Sequence, residues 1–245
     1  MDMTTLAGLL GACVFLIVGF MTGEVSGIFL NMRGIMIVVG GTAAAMLINT
    51  PMRYIRETVL AGLSLLRRDP YGDPAELVPL ITRLAEQVQS QGLGALREVD
   101  GRAAGGFLRE AAFTAMEYGN ADFVRRVLET EVNNRVDRAN EVINVVRTAG
   151  VLSPMFGLIG TLMGIVHVLK QISDPEQAGP AMAVAVTTAF YGILMANFVC
   201  VPMAGKMRFR LWEEVKTKAM VIEGVVGMMQ GTVPLVLERR LQAFR

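Results

Sequence analysis

Three hydroxyl groups, on Thr161, Thr187 and Thr188, stand out in this 245-residue chain because each lies in a long stretch with no formal charge. A threonine in such a place either bonds its own helix carbonyl one turn back or meets a polar partner or an ion. Pro154 and Pro202 lie in the same two stretches. Neither has an N–H, so each leaves a carbonyl free to kink its helix or to meet a polar group. Small residues surround them at helical spacing: Gly157, Gly160, Thr161 and Gly164 in one stretch, and Ala181, Ala185, Thr188, Gly192 and Ala196 in the other. Small faces let membrane helices approach closely. They either pack inside one subunit or surround a helix from another copy or another protein. Two stripes on consecutive stretches favour the second reading. His167 is the one titratable side chain nearby, at the end of a stretch where an interfacial ring commonly sits.

Four stretches carry no charge: 3–23, 34–52, 148–169 and 177–205. Each can cross a hydrocarbon core, which takes roughly 20 helical residues. The organisation expected is an all-α membrane protein. Its spans are 3–23, 34–52, 148–170 and 180–205, with a helical cytoplasmic domain over 53–147 and a helical tail over 206–245. Arg53, Arg56, Arg147, Lys206, Arg208 and Arg210 flank the spans on one side. The positive-inside rule therefore puts both termini and the middle block in the cytoplasm. Acid and base balance in that block, and no basic tract marks a nucleic-acid site. A soluble enzyme has no use for four neutral stretches, and Asp2 is not the start of a secretory leader. Cys13 and Cys200 fit neither a disulfide framework nor a metal spacing. No Asp, Glu, Lys or Arg lies inside a span, although ion passage normally needs an ionisable group. If the chain handles an ion, the carboxylate comes from a partner.

The cytoplasmic block reads as helical. Asp73, Pro74 and Glu76 make a capping box with proline at the first helical position. Leu77, Leu80, Ile81 and Leu84 follow at helical spacing, and Gly92 ends the run. Asn120 is a cap for a helix that meets no glycine or proline until Gly150 and so runs into the third span. Another helix leaves the fourth span and reaches about Met229; a short one over 235–244 closes the chain.

The segment Ser153–Val166, SPMFGLIGTLMGIV, closely resembles the third-span motif of the MotA/PomA flagellar stator family. Gly179–Ala185 with Tyr191, Gly192, Ala196, Asn197 and Pro202 resembles its fourth span, and Ile35–Gly41 its second. Ile222, Glu223 and Gly224 with Gln230 and Gly231 resemble its tail. The resemblance covers nearly the whole chain in order, and is nearest to the shorter PomA-type members.

The resemblance implies a non-enzymatic subunit of the bacterial inner membrane. Five copies would surround a pair of single-span MotB/PomB-type partners whose Asp carries H+ or Na+, with no other cofactor. Ion passage would turn the ring against a FliG-type rotor protein, with lipid around it and no nucleic acid involved. It places Thr161, with Thr187 and Thr188, beside the ion path, and ties Pro154 and Pro202 to torque. Gly157, Gly160, Gly164, Ala185 and Gly192 become helix-packing positions. Ala189 stands where most members carry a hydroxyl, and Asn31 where sodium-type members carry Asp. Thr161 argues for sodium; Asn31 and Ala189 argue against it. The rotor-contact stretch aligns with Arg97, Glu98, Asp100 and Arg102, without the family's preceding basic pair; Arg109 is a further basic candidate. A TolQ/ExbB-like energiser, driving a periplasm-spanning partner, is the alternative.

Overall fold

The computed structural model describes residues 3–21, 31–66, 71, 74–171 and 175–244. In chain order the α-helices are α1 (Met3–Met21), α2 (Met32–Ile35), α3 (Gly41–Asn49), α4 (Met52–Ser64), α5 (Pro74–Gln91), α6 (Phe107–Tyr118), α7 (Ala121–Lys170), α8 (Pro175–Leu194), α9 (Val201–Met229) and α10 (Pro234–Gln242). Wider π turns join α2 to α3 over Met36–Gly40 and α8 to α9 over Met195–Cys200. No strand occurs among the described residues. The chain forms two compact units: one from 1–68 and 140–208, the other from 69–139 and 209–245.

Three helical stretches of the described residues are long and apolar enough to cross a membrane: Met32–Asn49, Ala121–Lys170 and Ala178–Met229. In α1 the corresponding apolar run is shorter, Leu10–Gly19. The second stretch ends earlier than its neutrality alone indicates. Thr50 is extended (φ −130°, ψ 127°), as a residue before proline prefers, so Pro51 separates α3 from α4. Met52 therefore opens the next helix. Asn120 caps α7 as expected, its Oδ1 accepting from the Phe123 N–H at 3.0 Å. The capping box at Asp73 lies outside the described residues.

In the second unit, Leu77, Ile81 and Leu84 of α5 pack with Leu108 and Ala111 of α6, Val124 and Leu128 of α7, Val221 and Val225 of α9, and Leu237 and Leu241 of α10. A Cβ on Gly224 would lie 2.6 Å from Ile81, and one on Gly227 2.6 Å from Leu237, so α9 touches α5 and α10 at its glycines. Gly92, at φ +77°, ends α5 in a conformation that only glycine adopts freely. Ion pairs tie distant segments: Arg125 to Glu223 at 2.8 Å, Arg240 to Glu223 at 3.3 Å, and Arg135 to Glu214 at 3.2 Å. The Arg125 hydrogen bond, with Arg240 beyond it, outweighs burial and holds the Glu223 carboxyl below its ordinary pKa. Burial works to raise that of Glu214, but the Tyr71 hydroxyl, Arg135 and Lys218 together bring it down.

Candidate functional site

The two stripes of small residues meet each other. A Cβ on Gly164 would lie 2.6 Å from the Ala185 Cβ, one on Gly160 2.6 Å from the Thr188 Cγ2, and one on Gly157 2.8 Å from the Thr188 carbonyl oxygen. At the next level a Cβ on Gly192 would lie 2.6 Å from the Ser153 carbonyl oxygen and 3.0 Å from the Pro154 Cα. The stripes are thus consumed within the chain, and the expectation that they wait for a foreign helix is corrected. Spacing reveals a small face but not its occupant. What α7 turns outward is large and apolar: Met155, Leu158, Ile159, Leu162, Met163 and Val166 are exposed.

Thr161 and Thr188 sit inside this contact, whereas Thr187 lies against α2, its Oγ1 3.4 Å from where a Gly34 Cβ would be. Thr187 donates to the Ala183 carbonyl at 2.8 Å and Thr188 to that of Val184 at 3.0 Å, the local bond expected of a helical threonine. Thr161 likewise reaches Gly157 at 3.1 Å, but its shorter bond, 2.8 Å, crosses to the Ala185 carbonyl of α8. That carbonyl also accepts from Thr188 at 3.0 Å. With every hydroxyl proton directed at backbone, what each oxygen has left is lone pairs, which suit a cation. Ala189 lies beside them, its Cα 3.2 Å from where a Gly157 Cβ would be.

Asn31 has a structural duty that its alignment with the family did not reveal. Its Oδ1 accepts from the N–H groups of Arg33 at 3.1 Å and Gly34 at 3.3 Å, capping α2. Its own N–H donates to the Tyr191 hydroxyl at 3.0 Å, joining α2 to α8. Gly34 is buried, with little room for a side chain: a Cβ there would lie 3.2 Å from both Thr188 Cγ2 and Tyr191 Cε2 and 3.4 Å from Thr187 Oγ1. A Cβ on Gly41 would run into the Phe156 ring. Gly34 and Tyr191 lie 157 residues apart and carry no charge, so the motif that holds Tyr191 does not reveal its contact with Gly34.

Pro154 lies in the interior of α7, and Pro202 is the second residue after the π turn at Met195–Cys200. In that turn the Val201 N–H reaches back five residues to the Ala196 carbonyl. A π turn next to a missing donor re-satisfies backbone that a regular helix would leave unpaired. Ser153 and Thr42 are buried hydroxyls without a hydrogen-bond partner among the described residues. His167 is exposed near the end of α7 beside Lys170, apart from the threonines.

The rotor-contact candidates belong to the second unit. Arg97, Glu98, Asp100 and Arg102 are all exposed around the turns that follow α5. Asp100 Oδ1 accepts from the Arg102 N–H at 3.0 Å, shaping the loop. Arg109 joins them: its guanidinium lies 3.2 Å from where a Gly101 Cβ would be, and 5.5 Å from the Phe113 ring centre.

Residues 102–220 match the model of the MotA/TolQ/ExbB proton channel family. The chemotaxis protein PomA of Vibrio alginolyticus is 31% identical over 245 residues, covering 100% of this chain and 95% of that protein. The solved flagellar MotAB stator complex from Bacillus subtilis superposes with a TM-score of 0.89 at 27% identity, over 98% of this chain and 94% of that one. The C. jejuni MotAB structure gives a TM-score of 0.88 at 19% identity, over 100% of this chain and 96% of that one, a likeness of fold. The TolQ/ExbB-like alternative has less support, since the relatives aligned along the whole chain include PomA and the Motility protein A of Treponema phagedenis. The hairpin of α7 and α8, with its glycine contacts and its threonines, is then no isolated motif, and the chain belongs to the MotA/TolQ/ExbB proton channel family, on its MotA/PomA side.

Proposed function

We propose that this chain is the ring-forming subunit of a flagellar stator, a membrane protein and not an enzyme, which converts flow of H+ or Na+ into torque on a FliG-type rotor protein. Five copies surround a pair of MotB/PomB-type single-span partners in the bacterial inner membrane. Four spans, α1 among them, leave both termini, 53–147 and 206–245 in the cytoplasm. The observation that carries this reading is the threonine cluster in stretches that hold no carboxylate. Such a site can ease a cation's dehydration but cannot carry its charge. The partner's Asp carries it: once neutralised by the cation, the carboxyl passes an apolar face at far lower cost than the roughly 2.5–3.5 kcal/mol of a charge at mid-membrane.

Thr161, Thr187 and Thr188 line the path. The outward apolar side of α7 supports packing against other chains of the complex. Pro154 and Pro202 pass movement towards the cytoplasm, and Arg97, Glu98, Asp100 and Arg102, with Arg109 beside them, meet the rotor. The test is swimming speed of stator-deleted cells supplied with this chain and its partner, against sodium concentration and with a protonophore. Speed should follow one of the two ions. Speed that follows neither, or motility without the partner, overturns the reading.

A further inference from the structure

We infer that Tyr191 is a positioning residue for the ion path: it pins the outer end of the second span to the fourth and thereby sets the orientation of the Thr188 hydroxyl. This rests on the ion-driven reading above and names a residue which that reading does not use. Three contacts carry it. The Tyr191 hydroxyl accepts the Asn31 N–H at 3.0 Å, at the residue whose Oδ1 caps α2. The first turn of α2 therefore starts from a point fixed on α8. One turn on, Gly34 is pressed onto Thr188 and Tyr191 together, so close that a Cβ would stand 3.2 Å from each. Thr188, held from that side, shares its one hydroxyl proton between the Val184 and Ala185 carbonyls, each 3.0 Å away, and Thr161 also engages the second of them at 2.8 Å from α7.

The contacts thus run from the α2 cap through Tyr191 and Gly34 to Thr188, and through one shared carbonyl to Thr161. Without the Tyr191 hydroxyl the Asn31 N–H loses its acceptor, and the cap can shift away from α8. Gly34 then no longer confines Thr188, whose hydroxyl can rotate to the other helical carbonyls in reach. Thr188 and Thr161 would then no longer share the Ala185 carbonyl. Tyr191 touches no ion in this scheme; it acts through Thr188.

The experiment uses the whole stator complex in stator-deleted cells, comparing wild type, Tyr191→Phe, Thr188→Ser and the double variant. Tyr191→Phe keeps the ring beneath Gly34 and removes the hydroxyl that accepts the Asn31 N–H. Stator abundance in the membrane is measured alongside swimming speed against the driving ion. The expected result is normal abundance with about a fivefold rise in the ion concentration giving half-maximal speed, the size that one lost hydrogen bond of ordinary strength produces. The shift in the double variant should be smaller than the product of the single shifts, because the two residues act through one contact. A Tyr191→Phe curve that superimposes on wild type overturns the proposal. So does a loss of speed by the same factor at every ion concentration, or shifts that multiply independently. If wild type itself responds to neither ion, the ion-driven reading fails first, which separates the two failures.

Discussion

Thr161 shares its one hydroxyl proton between two carbonyls that serve different purposes. The bond to Gly157 is what any helical threonine makes; the one to Ala185 joins α7 to α8. Thr161→Val removes both while keeping nearly the same shape, at a cost of about 1 kcal/mol for the lost bonding. The surrounding glycine contacts far exceed that, so the complex should assemble in normal amount. The ion concentration for half-maximal swimming should change; an unchanged curve would remove Thr161 from the path. At this scale the sequence identified the hydroxyls, because polar groups in neutral stretches are conspicuous. It gave Tyr191 only as part of a family motif and Gly34 not at all, since their partners lie more than 150 residues away. Asn31 stood out for replacing an acid in the family pattern, and its capping role became visible only through Arg33, Gly34 and Tyr191.

Among the helices, α7 was legible almost to the residue, since Asn120 opens it and only Pro154 challenges it before Lys170. The π turns were not legible. They arise where backbone pairing is adjusted locally, and no side-chain periodicity records that. The turn at Met195–Cys200 gives Pro202 a distinct testable role. Pro202→Ala restores an N–H that can bond the carbonyl four residues back, at Phe198, and should draw the π turn into a regular helix. The variant should assemble, and under the proposed function its torque should fall. Torque of tethered cells at matched stator number checks this, and normal torque would leave the π turn a matter of shape alone. The break at Pro51 teaches a related lesson: charge patterning locates a span, but the missing N–H of one proline decides where it stops.

For the molecule as a whole, the two units are held by different chemistry. The second unit relies partly on Arg125, Glu223 and Arg240, and Glu223 has a lowered pKa. A carboxyl whose folded pKa is depressed contributes stability that is fully present above its unfolded value, 4.5 here, and is lost as pH falls through the folded value. Acidification below about 4.5 should therefore reduce hydrogen-exchange protection over 74–139 and 209–244 more than over 148–171 and 178–205. Glu223→Gln should show part of that loss already at neutral pH and a smaller further drop in acid. Equal losses in both regions would mean that the ion pairs contribute little. The core of this unit was foreseeable from Leu77, Ile81 and Leu84, whereas the glycine contacts at Gly224 and Gly227 were not, since a glycine announces nothing about what presses on it.

The interlock of α7 with α8 also limits the freedom of movement inside the first unit. Gly157, Gly160, Gly164 and Gly192 each face a partner atom within 2.8 Å of where a Cβ would stand. Sliding α7 by one residue would bring Leu158 or Thr161 into a slot that admits only hydrogen, and close-packed interiors do not yield by that much. The hairpin has one register and no neighbouring one. Under the proposed function, work extracted from an ion therefore appears as displacement of the hairpin against other chains with its register kept, in the manner of a gear tooth that bears load without slipping.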